Sequence, residues 1–251
     1  MDSTMNYWSW GAVGFTLGTI ASIRNVHKAE IAFSFPLSVV AITATIYAGL
    51  FGTKLLCVMI ERPGLLRADL ASALAFWNGG LAWQGFVLGV AVLAIILRLA
   101  RKPVWLTLGC AAPPLALAHA VSRIGCLSHG CCHGSPTDLP WAIHSARLDA
   151  MVHPTQIYSS LSELVVFLIL QWVFERRPAL RIYLAPGYFM LFSLHRFVIG
   201  LFRGDPPGPE LIPGLRTDQA ICILFFAASA VAFFALTREG MGHSAAQDTS
   251  R

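Results

Sequence analysis

The chain is short of charge. Aspartate, glutamate, lysine and arginine make up only 12% of its 251 residues, against 56% hydrophobic side chains. With a mean hydropathy of +0.64, that scarcity excludes an ordinary soluble domain, in which about a quarter of the residues are charged. No internal repeat or low-complexity run is present, so solenoids and arrays are excluded as well. The first apolar stretch is also unlike a secretory signal. No basic run precedes the first apolar stretch and no small-residue cleavage site follows it, so that stretch is expected to be retained. What remains is an all-α integral membrane protein.

Apolar runs able to cross a bilayer fall at 8–23, 32–59, 79–99, 104–126, 155–174, 183–202 and 214–236. Each span consumes about 20 residues, so the length is expected to be used up by seven helices in one polytopic domain, 1–251. The polar, small-residue stretch 240–251 is expected to be a disordered tail. Tyr7, Trp8 and Trp10 suit an interfacial anchor at the start of the first span. Arg24 and Lys28 follow the first span, Arg98, Arg101 and Lys102 the third, Arg176, Arg177 and Arg181 the fifth, and Arg238 the seventh. The positive-inside rule makes that side cytoplasmic, with the N-terminus outside and the C-terminus inside. The net charge of +5 then reflects loops lying beside anionic lipid, and no nucleic-acid partner is expected.

Several charges break the loop pattern. Arg123 ends span four, Glu163 lies within span five, His195 and Arg196 lie within span six, and Arg203 closes it. An isolated charge in hydrocarbon costs several kcal/mol, roughly, so Glu163 and Arg196 are expected to have buried partners or a function. Guanidinium grips phosphate with two prongs, and arginines gathered near one membrane face suggest a phospholipid headgroup site.

The run HAVSRIGCLSHGCCHGSP, His119 to Pro136, adds Cys126, Cys131, Cys132, His129 and His133 beside Arg123. The adjacent cysteines do not match the paired C-x-x-C spacing of zinc modules, so neither a metal nor a cofactor is expected. A disulfide from Cys126 to Cys131 or Cys132 is one alternative, and a thiolate activated by histidine and arginine is another. Cys57, Cys110 and Cys222, scattered in spans, read as small apolar side chains. Gly125, Gly130, Gly134 and Pro136 interrupt a helix, and irregular backbone at membrane depth survives only where it lines protein or a watery cavity. A second polar place is Asn78, Gly79, Gly80 and Gln84 in WNGGLAWQGFVLG.

Taken in order, WNGGLAWQG, SRIGCLSHGCCHGSPTDLPWAI, HPTQIYSSLSE, LHRFVIGLFRGD and GLRTDQ resemble the prolipoprotein diacylglyceryl transferase family over most of the chain. The resemblance implies seven spans, an outward N-terminus and a bacterial inner-membrane location with the active site toward the periplasm. It also implies a reaction: transfer of the diacylglyceryl group of phosphatidylglycerol, or a related anionic phospholipid, to the lipobox cysteine of a prolipoprotein, with release of glycerol phosphate. By position, Arg123 and Gly125 match the family's G-R-x-G-N signature, and Pro136, Thr137, Pro140, Trp141 and Ala142 its P-T and P-W-A. His153, Pro154, Gln156 and Tyr158 match H-P-S-Q-L-Y-E, with Glu163 further along that helix. Arg196, Phe202 and Arg203 match the segment of span six, and Gln219 the glutamine near the last span.

Departures concentrate on acid-base positions. The family's histidine in H-G-G reads Gln84; asparagines and a glutamate of the signature read Cys126, His129 and Cys131; the tyrosine and glutamate flanking the span-six arginine read Phe192 and Gly200. The resemblance therefore points to a diverged, cysteine-rich member. Arg123 and Arg196 are expected to be catalytic, stabilising the departing phosphate, with His129, His133 or His153 taking the acceptor's proton. Gln84, Cys126, Cys131, Gln156, Tyr158 and Arg203 are expected to line the substrate site. Two other functions use the same fold: a membrane thiol-redox or metal-handling protein, and a non-catalytic lipid-binding subunit.

Overall fold

In a computed structural model, residues 3–61, 85–204, 210–212 and 215–248 are described. They form seven α-helices, as the hydropathy pattern predicts: α1 Ser3–Lys28, α2 Phe35–Glu61, α3 Phe86–Leu99, α4 Val104–His129, α5 Thr155–Arg176, α6 Leu184–Leu201 and α7 Thr217–Asp248. A 3-10 turn, Pro178–Tyr183, leads into α6. Among the described residues two small antiparallel ribbons interrupt the helices, β1 Ile143–Ser145 with β2 Ala150–Val152, and β3 Glu210–Ile212 with β4 Leu215–Arg216. Among the described residues five segments are long and apolar enough to cross a membrane, and α3 is a shorter apolar helix. Helices suit these runs because a bilayer offers backbone groups no other partner. Helical backbone continues to Asp248, into the stretch whose composition suggests a tail.

Contacts divide the chain into two compact units, 31–104 and the remainder. In the smaller unit α2 and α3 cross at glycines. A Cβ on Gly85 or Gly52 would collide with the facing backbone, and Gly89 lies against Gly49. Small residues at such a crossing let two helices approach closely where lipid supplies no hydrophobic drive. Lys54 of α2 is buried within this unit.

In the larger unit α1 lies along α4, where a Cβ on Gly14 would meet the Ala118 carbonyl at 2.7 Å. Asn25 of α1, fully buried, donates to the Cys110 carbonyl of α4 and exchanges hydrogen bonds with Gln171 of α5. Pro113 and Pro114 lie inside α4. α5 has opposite faces of opposite character. Leu161, Val165, Leu168 and Trp172 are exposed, as lipid-facing residues should be, while Gln156, Ser159 and Glu163 are buried. A polar stripe turned inward on an apolar helix is the reverse of a soluble amphipathic helix, and it points to a polar interior.

After α4 the chain folds back as a loop that carries β1 and β2 and is laced to the end of α6. Ser135 donates its N–H to the Phe202 carbonyl, Gly204 donates to the His133 carbonyl, and Gly134 and His153 close the loop on itself. A Cβ at Gly204 would sit 2.3 Å from the Gly134 carbonyl oxygen, so glycine is required by this close approach. The lacing fixes the cysteine-rich turn beside Arg203.

Candidate active site

Helical spacing explains how the site assembles. His119, Arg123 and Cys126 follow at i, i+4 and i+7, which places them on one face of α4. Gln156 and Glu163 share a face of α5 for the same reason, and α6 contributes Phe192, His195 and Arg196. Glu163 is completely buried. One carboxylate oxygen, Oε1, lies 3.3 Å from His119 Nδ1 and 3.0 Å from His195 Nδ1. Neither carboxylate oxygen has an aligned hydrogen bond among the described residues, so these contacts act through charge and proximity. The buried phenol of Tyr188 also interacts with the Glu163 carboxylate.

The chain of contacts continues to Arg123. Its Nε donates to His119 Nε2 at 2.9 Å. Because a guanidinium only donates, Nε2 of this imidazole must be the acceptor, and the ring proton of neutral His119 sits on Nδ1, facing Glu163. Glu163, His119 and Arg123 thus form a relay in which the carboxylate sets the tautomer and the tautomer sets the guanidinium. His195 differs. Its Nδ1 faces the same carboxylate, and Nε2 is buried with no hydrogen-bond partner among the described residues.

Arg196 is buried and lies 3.9 Å from Asp218 of α7. Its Nε has no hydrogen-bond partner among the described residues. Arg123 and Arg203 both bear electrostatically on Arg196, with Asp218 and Cys132 opposing them. Three guanidiniums therefore act on a common region, with one buried donor uncommitted. Such an arrangement suits a multiply charged anion, because guanidiniums that act on one another repel until an anion offsets their like charge. Arg216, beside the start of α7, donates to the Gly200 carbonyl at 3.1 Å, and Gln219 Oε1 accepts from its backbone N–H.

The cysteines stand at the rim of this region. Arg123 Nη1 is 3.9 Å from Cys126 Sγ. The Cys131 carbonyl accepts from buried Gln156, and the Cys132 carbonyl accepts from Thr155. Hydrogen bonds from the Cys126 and Cys131 thiols, helped by Arg203 and Arg123, pull the Cys132 thiol well below its usual pKa. Cys131 is pushed up by its hydrogen bonds, first to Cys126 and then to Cys132. All six cysteines are free thiols.

Of the residues expected from sequence, the structure brings Arg123, Arg196, Arg203, Cys126, Cys131 and Gln156 into this neighbourhood. His129 ends α4 against Tyr7 and 3.4 Å from Arg147. His153 belongs to an aromatic group with Tyr158 and Phe202, in which Trp141 donates to the Tyr158 hydroxyl at 2.7 Å. Gln84 and the Asn78–Gly80 segment lie outside the described residues. Sequence reasoning gave no role to His119 or His195, which flank Glu163. Their signal was spacing, since His119 is one turn before Arg123 and His195 adjoins Arg196.

Comparison with known proteins decides the family. The sequence profile of prolipoprotein diacylglyceryl transferase matches residues 6–235. The chain belongs to that family. Among similar proteins named phosphatidylglycerol–prolipoprotein diacylglyceryl transferase, that of Azoarcus sp. (strain BH72) is 31% identical over 180 residues, covering 69% of this chain and 68% of the relative. That of Aromatoleum aromaticum is 30% identical over 198 residues, covering 76% and 75%. That of Porphyromonas gingivalis is 32% identical over 193 residues, covering 69% and 68%. The order of motifs from WNGGLAWQG to GLRTDQ thus marks family membership.

Proposed function

We propose that the protein transfers the diacylglyceryl group of phosphatidylglycerol to the cysteine thiol of a prolipoprotein, at the outward face of a bacterial inner membrane. The observation that carries this reading is the buried, uncommitted donor of Arg196 acted on by Arg123 and Arg203. The names of the relatives support it over the thiol-redox, metal-handling and lipid-binding readings. The concentration of basic residues in alternate loops supports the outward N-terminus.

The chemistry follows from these groups. The acceptor sulfur attacks the terminal carbon of the diacylglyceryl group, a carbon–sulfur bond forms, and the carbon–oxygen bond to phosphate breaks. Charge then grows on the departing glycerol phosphate, where preorganised guanidiniums are worth most. Arg196 and Arg123 fill that role, and Arg203 helps to bind the headgroup. Gln156 holds the rim turn on which Cys126 and Cys131 line the site, and Tyr158 closes its aromatic edge. The acceptor's proton passes to His195, whose free Nε2 is backed by Glu163 at Nδ1, the arrangement by which a carboxylate orients an imidazole base and steadies its cation. His119 is occupied by Arg123 and positions it. His129 and His153, two of the bases expected from sequence, are tested beside it.

The experiment is transfer from labelled phosphatidylglycerol in vesicles to a lipobox peptide. Lipidated peptide from the unaltered chain, strongly reduced by His195→Gln but not by His129→Gln or His153→Gln, is the expected result. Undiminished transfer by His195→Gln would remove its role, and a purified, folded chain that lipidates no peptide would overturn the prolipoprotein acceptor.

A further inference from the structure

The transferase chemistry makes no chemical use of three thiols. Cys126 lies in the last turn of α4, and Cys131 and Cys132 follow it. Their sulfurs all fall within 4.8 Å of one another. Paired C-x-x-C spacing is what a zinc-binding knuckle uses to bring sulfurs together, and this chain does it differently. Gly130 and Cys132 both adopt positive φ, +69° and 58°, turning the chain back on the helix end. The Cys131 N–H bonds the Cys126 carbonyl at 3.1 Å and closes that turn. A non-glycine residue at positive φ is strained, and it persists only where its surroundings enforce it.

Two buried side chains of α5 enforce it here. Gln156 and Thr155 hold the carbonyls of Cys131 and Cys132 at 2.8 and 2.7 Å, fixing the direction of each Cβ. These second-layer contacts are what a ligand set requires to be preorganised. Metal–sulfur bonds of about 2.3 Å put the sulfurs around one ion roughly 4 Å apart, which this cluster reaches with small adjustments. An all-sulfur set selects soft cations such as copper(I), zinc(II) or cadmium(II) over magnesium or calcium. Arg123, 3.9 Å from Cys126 Sγ, offsets the negative charge that three thiolates around such an ion would leave.

We propose that Cys126, Cys131 and Cys132 form a three-sulfur site for one soft metal ion at the rim of the arginine-lined region. The proposal does not rest on the transfer reaction, since it is argued from the turn and not from a phospholipid. Cadmium(II) is the probe, added to the reduced full-length chain in detergent. One equivalent is expected to bind, with a sulfur-to-metal charge-transfer band and a sulfur count of three by X-ray absorption. Cys126→Ser, Cys131→Ser and Cys132→Ser should each abolish tight binding, while Cys57→Ser and Cys222→Ser retain it. Gln156→Ala, which keeps every sulfur, should weaken binding about tenfold.

Gel filtration and thermal shift identify any serine variant that does not fold, and the Gln156→Ala titration then carries the test. Absence of binding to the reduced chain, or binding that survives all three serine substitutions, would overturn the proposal. So would a disulfide among the three in protein purified without reductant but with metal present, which assigns the turn to redox chemistry instead.

Discussion

Two glutamates on α5 stand about three turns apart and meet opposite circumstances. Glu175 lies at the C-terminal end of the helix, 37% exposed, with Arg24 at 2.7 Å and Lys28 at 3.0 Å. Glu163 is wholly buried between two histidines and has no lysine or arginine in ion-pair contact among the described residues. Water and mobile partners make the first pair interchangeable with many others. The second depends on one set of neighbours, because a buried carboxylate that loses its partners has no solvent to turn to. A surface ion pair ties α1 to α5, while the buried carboxylate meets His195 directly and Arg123 through His119.

That contrast can be broken in order of expected effect. Glu163→Ala should cost the most, on the order of 3–5 kcal/mol of stability for a disrupted buried charge group, with transfer abolished; a detergent thermal shift and the peptide assay check both. Arg196→Lys keeps the charge but loses the two-pronged geometry, and kcat for transfer should fall roughly 10²- to 10³-fold, as when an electrostatic stabiliser is removed. His119→Gln leaves Arg123 charged but frees it from its relay. Its loss should be smaller, about tenfold in kcat/KM, with KM for phosphatidylglycerol rising more than kcat falls if the role is positioning. Glu175→Gln should shift stability by less than about 1 kcal/mol and leave transfer unchanged, in keeping with exposed ion pairs.

Much of the fold was legible because hydropathy and helix length are set by the bilayer, so each apolar run had one structural outcome. The arginines were legible for the same reason. A guanidinium at membrane depth has few innocent explanations, and Arg123, Arg196 and Arg203 all come to one region. Histidine is harder to read from sequence. His129 and His153 stand in polar stretches that look functional, whereas His119 and His195 sit within apolar helices and acquire meaning only from Glu163, which lies on a third helix. No linear spacing joins residues 119, 163 and 195. The cysteine turn shows the same limit, since no sequence spacing announces that its three sulfurs gather within 4.8 Å, which depends on positive-φ backbone held by α5.

One measurement tests the central claim most directly: peptide-dependent release of glycerol phosphate from phosphatidylglycerol vesicles, run in parallel for the unaltered chain, Glu163→Gln and Glu175→Gln. The structure predicts release by the unaltered chain and by Glu175→Gln at similar rates, and background release by Glu163→Gln despite its retained fold. Equal rates for the two variants would contradict it, because the buried carboxylate would then do no more for transfer than the exposed one.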